Sequence, residues 1–208
     1  MEDVLEIYRR PPDPTRPVIC MDETSKQLVS ETRLALPVEP GQPQREDYEY
    51  ERRGVANVFL FSEPLTGWRE VQVTERRTRT DWAVVMRELS DRHYPAAERI
   101  TVVLDNLNTH GPASFYETFA PEEARRLAER FEFHYTPKHG SWLNMAEIEL
   151  SVLSRQCLDR RISNASMLQN EIQAWQQQRN AMSKIIDWQF TAADARTKLK
   201  RLYPLIKT

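Results

Sequence analysis

An α/β architecture, one mixed sheet flanked by helices, is what this sequence predicts. Short runs rich in β-branched and aromatic residues recur at 18–21, 55–61, 68–74, 100–104 and 131–135. Helix-period apolar patterns lie between the later runs, and only such patterns follow the last one. The order is therefore strand, strand pair, helix, strand, helix, strand, helix. The 208 residues are 40% hydrophobic and 29% charged, enough to bury a sizeable core. No apolar run approaches the ~20 residues needed to span a bilayer, and no secretory leader is visible at Met1-Glu2-Asp3. Cys20 and Cys157 stand alone, which excludes a disulfide framework or zinc site and fits a reducing cytoplasm.

Residues 1–15 are polar and broken by Pro11, Pro12 and Pro14, and read as an arm or linker before a domain of 16–208. The run 18–21 stops at Asp22-Glu23, so it reads as a buried strand ending in acids, with 28–34 a second extended piece. Residues 35–53 carry Pro37, Pro40, Gly41 and Pro43 and then an acidic, tyrosine-rich stretch, and read as a long excursion. Residues 55–61 and 68–74 flank the turn Pro64-Leu65-Thr66-Gly67 as a hairpin. Thr80 or Asp81 caps a helix to about His93. Residues 100–104 form the most strand-like run and end at Asp105-Asn106. Pro121-Glu122-Glu123 opens a helix to about Arg130, with proline and acids in its first turn. A strand at 131–135 and a turn at 137–140 precede helices over 142–159, 165–182 and 192–202.

Three acids stand out. Asp22 and Asp105 each close an apolar strand, and strand ends of an open sheet are where ligands bind. On the helix of 142–159, at ~100° per residue, Leu143, Ala146, Leu150, Leu153 and Cys157 form one apolar stripe. Glu147 borders that stripe beside Ser151 and Ser154, while Glu149 points roughly 200° away. Glu149 therefore reads as a surface or structural acid. Carboxylates without histidine or cysteine partners suit a hard cation such as Mg²⁺. Two such ions ~3.5–4 Å apart clamp the attacking and leaving oxygens of a phosphodiester.

Asp105-Asn106-Leu107-Asn108-Thr109-His110 resembles the second-aspartate block of mariner-superfamily transposases, especially their bacterial insertion-sequence branch. Residues 136–147, Thr-Pro-Lys-His-Gly-Ser-Trp-Leu-Asn-Met-Ala-Glu, resemble the block of the third acid, and Met21-Asp22-Glu23 that of the first. The resemblance spans roughly 16–205. It implies a ribonuclease-H-like fold, a mixed five-stranded sheet flanked by helices. It also implies metal-dependent DNA cleavage at transposon ends, followed by 3′-OH strand transfer into target DNA. Asp22, Asp105 and Glu147 match the ligands of two Mg²⁺ ions, with Mn²⁺ as surrogate. Asn106, His110 and Asn144 match accompanying positions. Water would be the first nucleophile and the DNA 3′-OH the second. A nuclease or resolvase that only hydrolyses, and a decayed transposase that only dimerises or associates with DNA, are the rival readings.

The chain departs from the family pattern in three places. The Asp105–Glu147 spacer, 41 residues, is long, and Met145-Ala146 replaces the usual Pro-x. The family's helix-turn-helix reader of transposon ends is not found ahead of the first strand, so the chain looks like a catalytic domain without its sequence reader, with a separate helix-turn-helix partner chain as one candidate source. The excursion 35–53 is either, as the resemblance implies, the dimer clamp of a homodimer with Tyr48 or Tyr50 in contact, or a loose surface loop. Net charge is −2, but residues 1–150 hold 19 Lys+Arg against 27 Asp+Glu, and residues 151–208 hold 10 against 4. The basic C-terminal helices are thus either a solvated face or a surface for phosphates. Lys138 and His139, ahead of the catalytic helix, are the first candidates for DNA contact, followed by Arg160 and Arg161. Only five glycines occur, scattered, so a phosphate-cradling nucleotide loop is excluded.

Overall fold

A computed structural model describes residues 1–32, 40–41 and 49–203. Five strands form one sheet: β1 (Val18–Glu31), β2 (Tyr50–Glu63), β3 (Trp68–Thr74), β4 (Ile100–Leu104) and β5 (Phe131–Tyr135), in the order β3-β2-β1-β4-β5. The β1–β2 and β2–β3 pairs are antiparallel, and β1–β4 and β4–β5 are parallel. Alternation along β1 divides the core. Val18 and Cys20 face one helical layer, Ile19 and Met21 the other.

The first layer holds α1 (Glu2–Ile7), α5 (Ala146–Leu153), α6 (Ala165–Met182) and α7 (Ala192–Lys198). The second holds α2 (Arg79–Glu88), α3 (Pro112–Thr118) and α4 (Pro121–Arg130), packed through Trp82, Phe115 and Leu127. Strands β3, β4 and β5 and helices α4 and α6 have the predicted bounds.

Several segments depart from expectation, each for a local reason. Residues 2–7 are a helix, not an arm. Val4, Leu5 and Ile7 fall on one helical face and are buried, a signal masked by the prolines after them. β1 does not end at Asp22 but runs nine residues further, because β2 extends beside it from Tyr50 and makes polar residues there part of a ladder. The excursion at 35–53 accordingly ends by Tyr50, and most of it, Tyr48 included, lies outside the described residues. Helix α2 is capped by Thr78, whose hydroxyl accepts from the Asp81 backbone N–H in a capping box. Helix α3 was absent from the expectation, since Gly111-Pro112 reads as a turn.

The helix predicted over 142–159 is broken. A tight turn, Ser141–Leu143, precedes an extended Asn144, and α5 starts at Ala146 and passes into a π-helical turn at Ser154–Leu158. Asn144 Oδ1 accepts from the Ala146 N–H at 3.1 Å, the side-chain competition that keeps asparagine out of helix interiors. The last helix likewise stops at Lys198, and 200–202 form a short tighter turn.

Candidate active site

Register builds the site. In the parallel β1–β4 ladder Cys20 lies beside Val103. Two residues further on each strand bring Asp22 beside Asp105, just past the end of β4. Asp22 follows Val18 and Cys20 onto the α5 face. Asn144 docks the start of α5 on the same place, its Nδ2 donating to the Met21 carbonyl at 2.8 Å. Tyr8 adds a second brace, donating to the Leu143 carbonyl at 2.6 Å and accepting from the Met145 N–H at 3.3 Å. Glu147, in the first turn of α5, is thereby held exposed and near enough to Asp22 for its charge to act on that carboxyl.

The three acids repel. Burial pushes the Asp22 carboxyl up to about 7, the Glu23 N–H that donates to it at 2.8 Å opposes this, and the charges of Glu147, Glu23 and Asp105 push it further up. Asp105 Oδ1 is buried and lies 2.6 Å from His110 Nδ1. His110 Nε2 lies 3.1 Å from Glu23 Oε2, on the face of β1 opposite Asp22. Burial works against a charged His110 ring, but the two carboxylates override it and raise its pKa to about 9. Glu23 was not singled out from the sequence. Its only signal there is that it follows Asp22 and so faces the other layer.

A cleft beside the acids is lined by Asp105, Asn106, Leu107, Pro137, Lys138, His139 and Ser141. His139 has φ 62°, a left-handed conformation rare for a side chain of its size. Gly140 follows because a Cβ there would meet the Pro137 ring at 2.7 Å. Lys138 and His139 are thus at the site. Arg160 and Arg161 are not: Arg160 pairs with Glu171, and Arg161 meets Glu31 at 2.5 Å, nine residues along β1 from Asp22.

Glu149 is structural but not at the surface, which corrects half of the expectation. It is 1% exposed. Arg69 Nε and Nη2 each donate to it at 2.8 Å and Arg179 Nη2 at 3.0 Å, which hold its carboxyl below the usual range against the burial that raises it. Among the described residues, no three acids, histidines or cysteines already form an ion cage. The donor set nevertheless fits a hard divalent ion. It offers only carboxylate oxygens, with the charges of Glu147 and Asp105 acting on the half-buried Asp22.

This mixed sheet with helices on both faces is the ribonuclease-H-like fold. The family model described as DDE superfamily endonuclease matches residues 17–169, and the chain belongs to that family. Among solved structures it is similar to the Mos1 mariner paired-end complex with Mn (16% identity, TM-score 0.55, 88% of this chain and 56% of that one). It is also similar to a pre-cleavage Mos1 transpososome (13%, 0.53, 88% and 59%) and to a simian T-cell lymphotropic virus intasome structure (12%, 0.50, 79% and 49%). The chain spans little more than half the length of those Mos1 chains. Comparison with curated proteins gave no match. Among the described residues no helix is long and apolar enough to cross a membrane.

Proposed function

We propose that this chain is the catalytic domain of a transposase. It cuts DNA at transposon ends and joins the freed 3′-OH to target DNA, with Asp22, Asp105 and Glu147 as the metal ligands. The observation that carries the reading is Asp22, whose carboxyl is pushed up to about 7 chiefly by burial and further by the charges of Glu147, Glu23 and Asp105 close by. Two neighbouring strand positions and a helix held by Asn144 and Tyr8 bring negative charge to one point. A cation is the economical answer to such crowding.

Two Mg²⁺ ions, or Mn²⁺ in their place, would polarise the phosphodiester and neutralise charge that develops on its oxygens. The chain's own residues do the rest. Asp22, Asp105 and Glu147 hold the ions, while Lys138 and His139, which line one cleft with Asp105 and Asn106, meet DNA phosphates. The printed descriptions of the Mos1 structures, a paired-end complex with Mn and a pre-cleavage transpososome, support DNA ends as substrate and a divalent ion as cofactor. The reading includes a homodimer in the bacterial cytoplasm, on nucleoid DNA, with the excursion 35–53 as clamp.

The test is Mn²⁺-dependent nicking of supercoiled plasmid, and joining of a supplied 3′-OH end to it. Wild-type protein is expected to do both, and Asp105→Asn and Glu147→Gln neither. Nicking without joining would favour a hydrolytic nuclease. Equal nicking by all three proteins would overturn the site.

A further inference from the structure

We propose that Glu23 and His110 are positioning residues that hold the Asp105 carboxylate in place from behind the sheet. The inference rests on Asp22, Asp105 and Glu147 being the metal ligands. Asp105 needs such help because it has just left β4 for the irregular segment before α3, and its side chain is 34% exposed. Asp22, by contrast, sits in a ladder on both of its flanking residues. The contact that fixes Asp105 is His110 Nδ1 at 2.6 Å.

The histidine is itself immobilised. Its side chain is 1% exposed and stacks on Trp82 at 5.8 Å and 28°. Its backbone carbonyl accepts from Tyr135 at 2.9 Å, and its N–H donates to the Leu107 carbonyl at 3.0 Å. The ring's other nitrogen meets Glu23 Oε2 at 3.1 Å. Glu23 comes from the central strand, beside Phe59 of β2, and its side chain is only 4% exposed.

Carboxylates only accept, so a ring nitrogen facing one must donate. With a carboxylate at each end, the imidazole has a single serviceable orientation. A buried acid is weak evidence of a stabilising role, since an apolar residue of similar volume commonly serves the core as well or better. Among the described residues His110 is the only ion-pair partner of Glu23. The chain therefore retains an acid in its core for the histidine, and the histidine for Asp105. Adjacent residues of one strand thus serve opposite faces: Asp22 the ion, Glu23 the support for the second aspartate. Groups that orient a ligand in this way are worth about 10–100-fold in metal affinity.

The experiment is calorimetric titration with Mn²⁺ alone, with the electron paramagnetic resonance spectrum of bound Mn²⁺ and the thermal midpoint recorded in parallel. The variants are Glu23→Gln, His110→Gln, Asp105→Asn and the double Glu23→Gln/Asp105→Asn. Glu23→Gln and His110→Gln are each expected to weaken Mn²⁺ about 10–100-fold and to alter its spectrum. Glu23→Gln is expected to cost nothing further once Asp105 is Asn. Wild-type affinity and an unchanged spectrum in both single variants overturn the proposal, as does an equal cost in the Asp105→Asn background. If Glu23→Gln fails to fold, His110→Gln decides alone. Failure of the ligand set looks different: Asp22→Asn and Glu147→Gln would then bind Mn²⁺ as wild type does.

Discussion

Asp22 carries the clearest cost of the arrangement. Its folded value of about 7 lies above the ordinary 3.8. The stability gained by holding it protonated is thus complete below about pH 4 and is lost as pH rises through 7. Metal-free protein is accordingly expected to melt lower at pH 8 than at pH 5.5 through this group, and Asp22→Asn to flatten that difference and melt a few degrees higher at pH 8. Excess Mg²⁺ should raise the wild-type midpoint, since it binds only the folded state, and leave Asp22→Asn unmoved. Calorimetric scans at both pH values check both statements, and a variant that melts below wild type at pH 8 contradicts the first. Glu149 works the other way. Its charge is matched by Arg69 and Arg179 in a dry site, so Glu149→Gln leaves Arg69 buried without its counter-charge. A loss of about 3–5 kcal/mol is expected in urea unfolding, and a loss below 1 kcal/mol would show the network to be slack. Glu149 was legible as a helical acid turned away from Glu147. Its burial was not, because the arginines that receive it lie 80 and 30 residues away in sequence.

Helix α5 is positioned by what precedes it rather than by its own sequence. Asn144 ties its first turn to β1 through two hydrogen bonds. Asn144→Ala should cost about 1–3 kcal/mol, the penalty for leaving a buried partner unpaired, and should lower Mn²⁺ affinity because Glu147 loses its alignment. Lost stability with wild-type affinity would make Asn144 a packing residue only. Strand β3 is an edge, and α6 covers it with side-chain amides. Gln176 accepts from the Val71 N–H at 2.8 Å, and Asn180 both accepts from Arg69 N–H and donates to its carbonyl at 2.8 Å. At the hairpin turn Gly67 has φ 75°, and a Cβ there would meet the Ser183 backbone at 2.6 Å. The double change Gln176→Ala/Asn180→Ala frees an edge and is expected to speed aggregation on heating, followed by light scattering. Strands β3, β4 and β5 and helices α4 and α6 were legible to the residue, whereas α3, though opened by Pro112, was not. The long β1 was not, since ladder partners rather than its own polar residues extend it. The break at Asn144 was not either, because it depends on the Met21 carbonyl across the core.

Across the whole molecule, the charge asymmetry of the sequence is largely internal. Arg196 binds Glu2 at 2.5 Å, Arg161 binds Glu31 and Arg160 binds Glu171, so basic C-terminal residues are matched by acids, two of them from the N-terminal part. Beside Asp105 the cleft presents Lys138 and His139. Short motifs in order along the chain singled out Asp22, Asp105 and Glu147, of which Asp105 follows the end of β4, Glu147 opens α5 and Asp22 lies inside β1. Tyr8 left no motif in a segment dominated by prolines, and Glu23 entered the first-acid block only as the neighbour of a more conspicuous acid. The central claim is that these three acids form one divalent-ion site. The most direct measurement is Mn²⁺ titration of wild type, Asp22→Asn, Asp105→Asn, Glu147→Gln and, as control, Glu122→Gln on the exposed start of α4. Binding by wild type and Glu122→Gln that weakens or vanishes in the other three is the expected result. Undiminished binding in any one of those three would contradict the site.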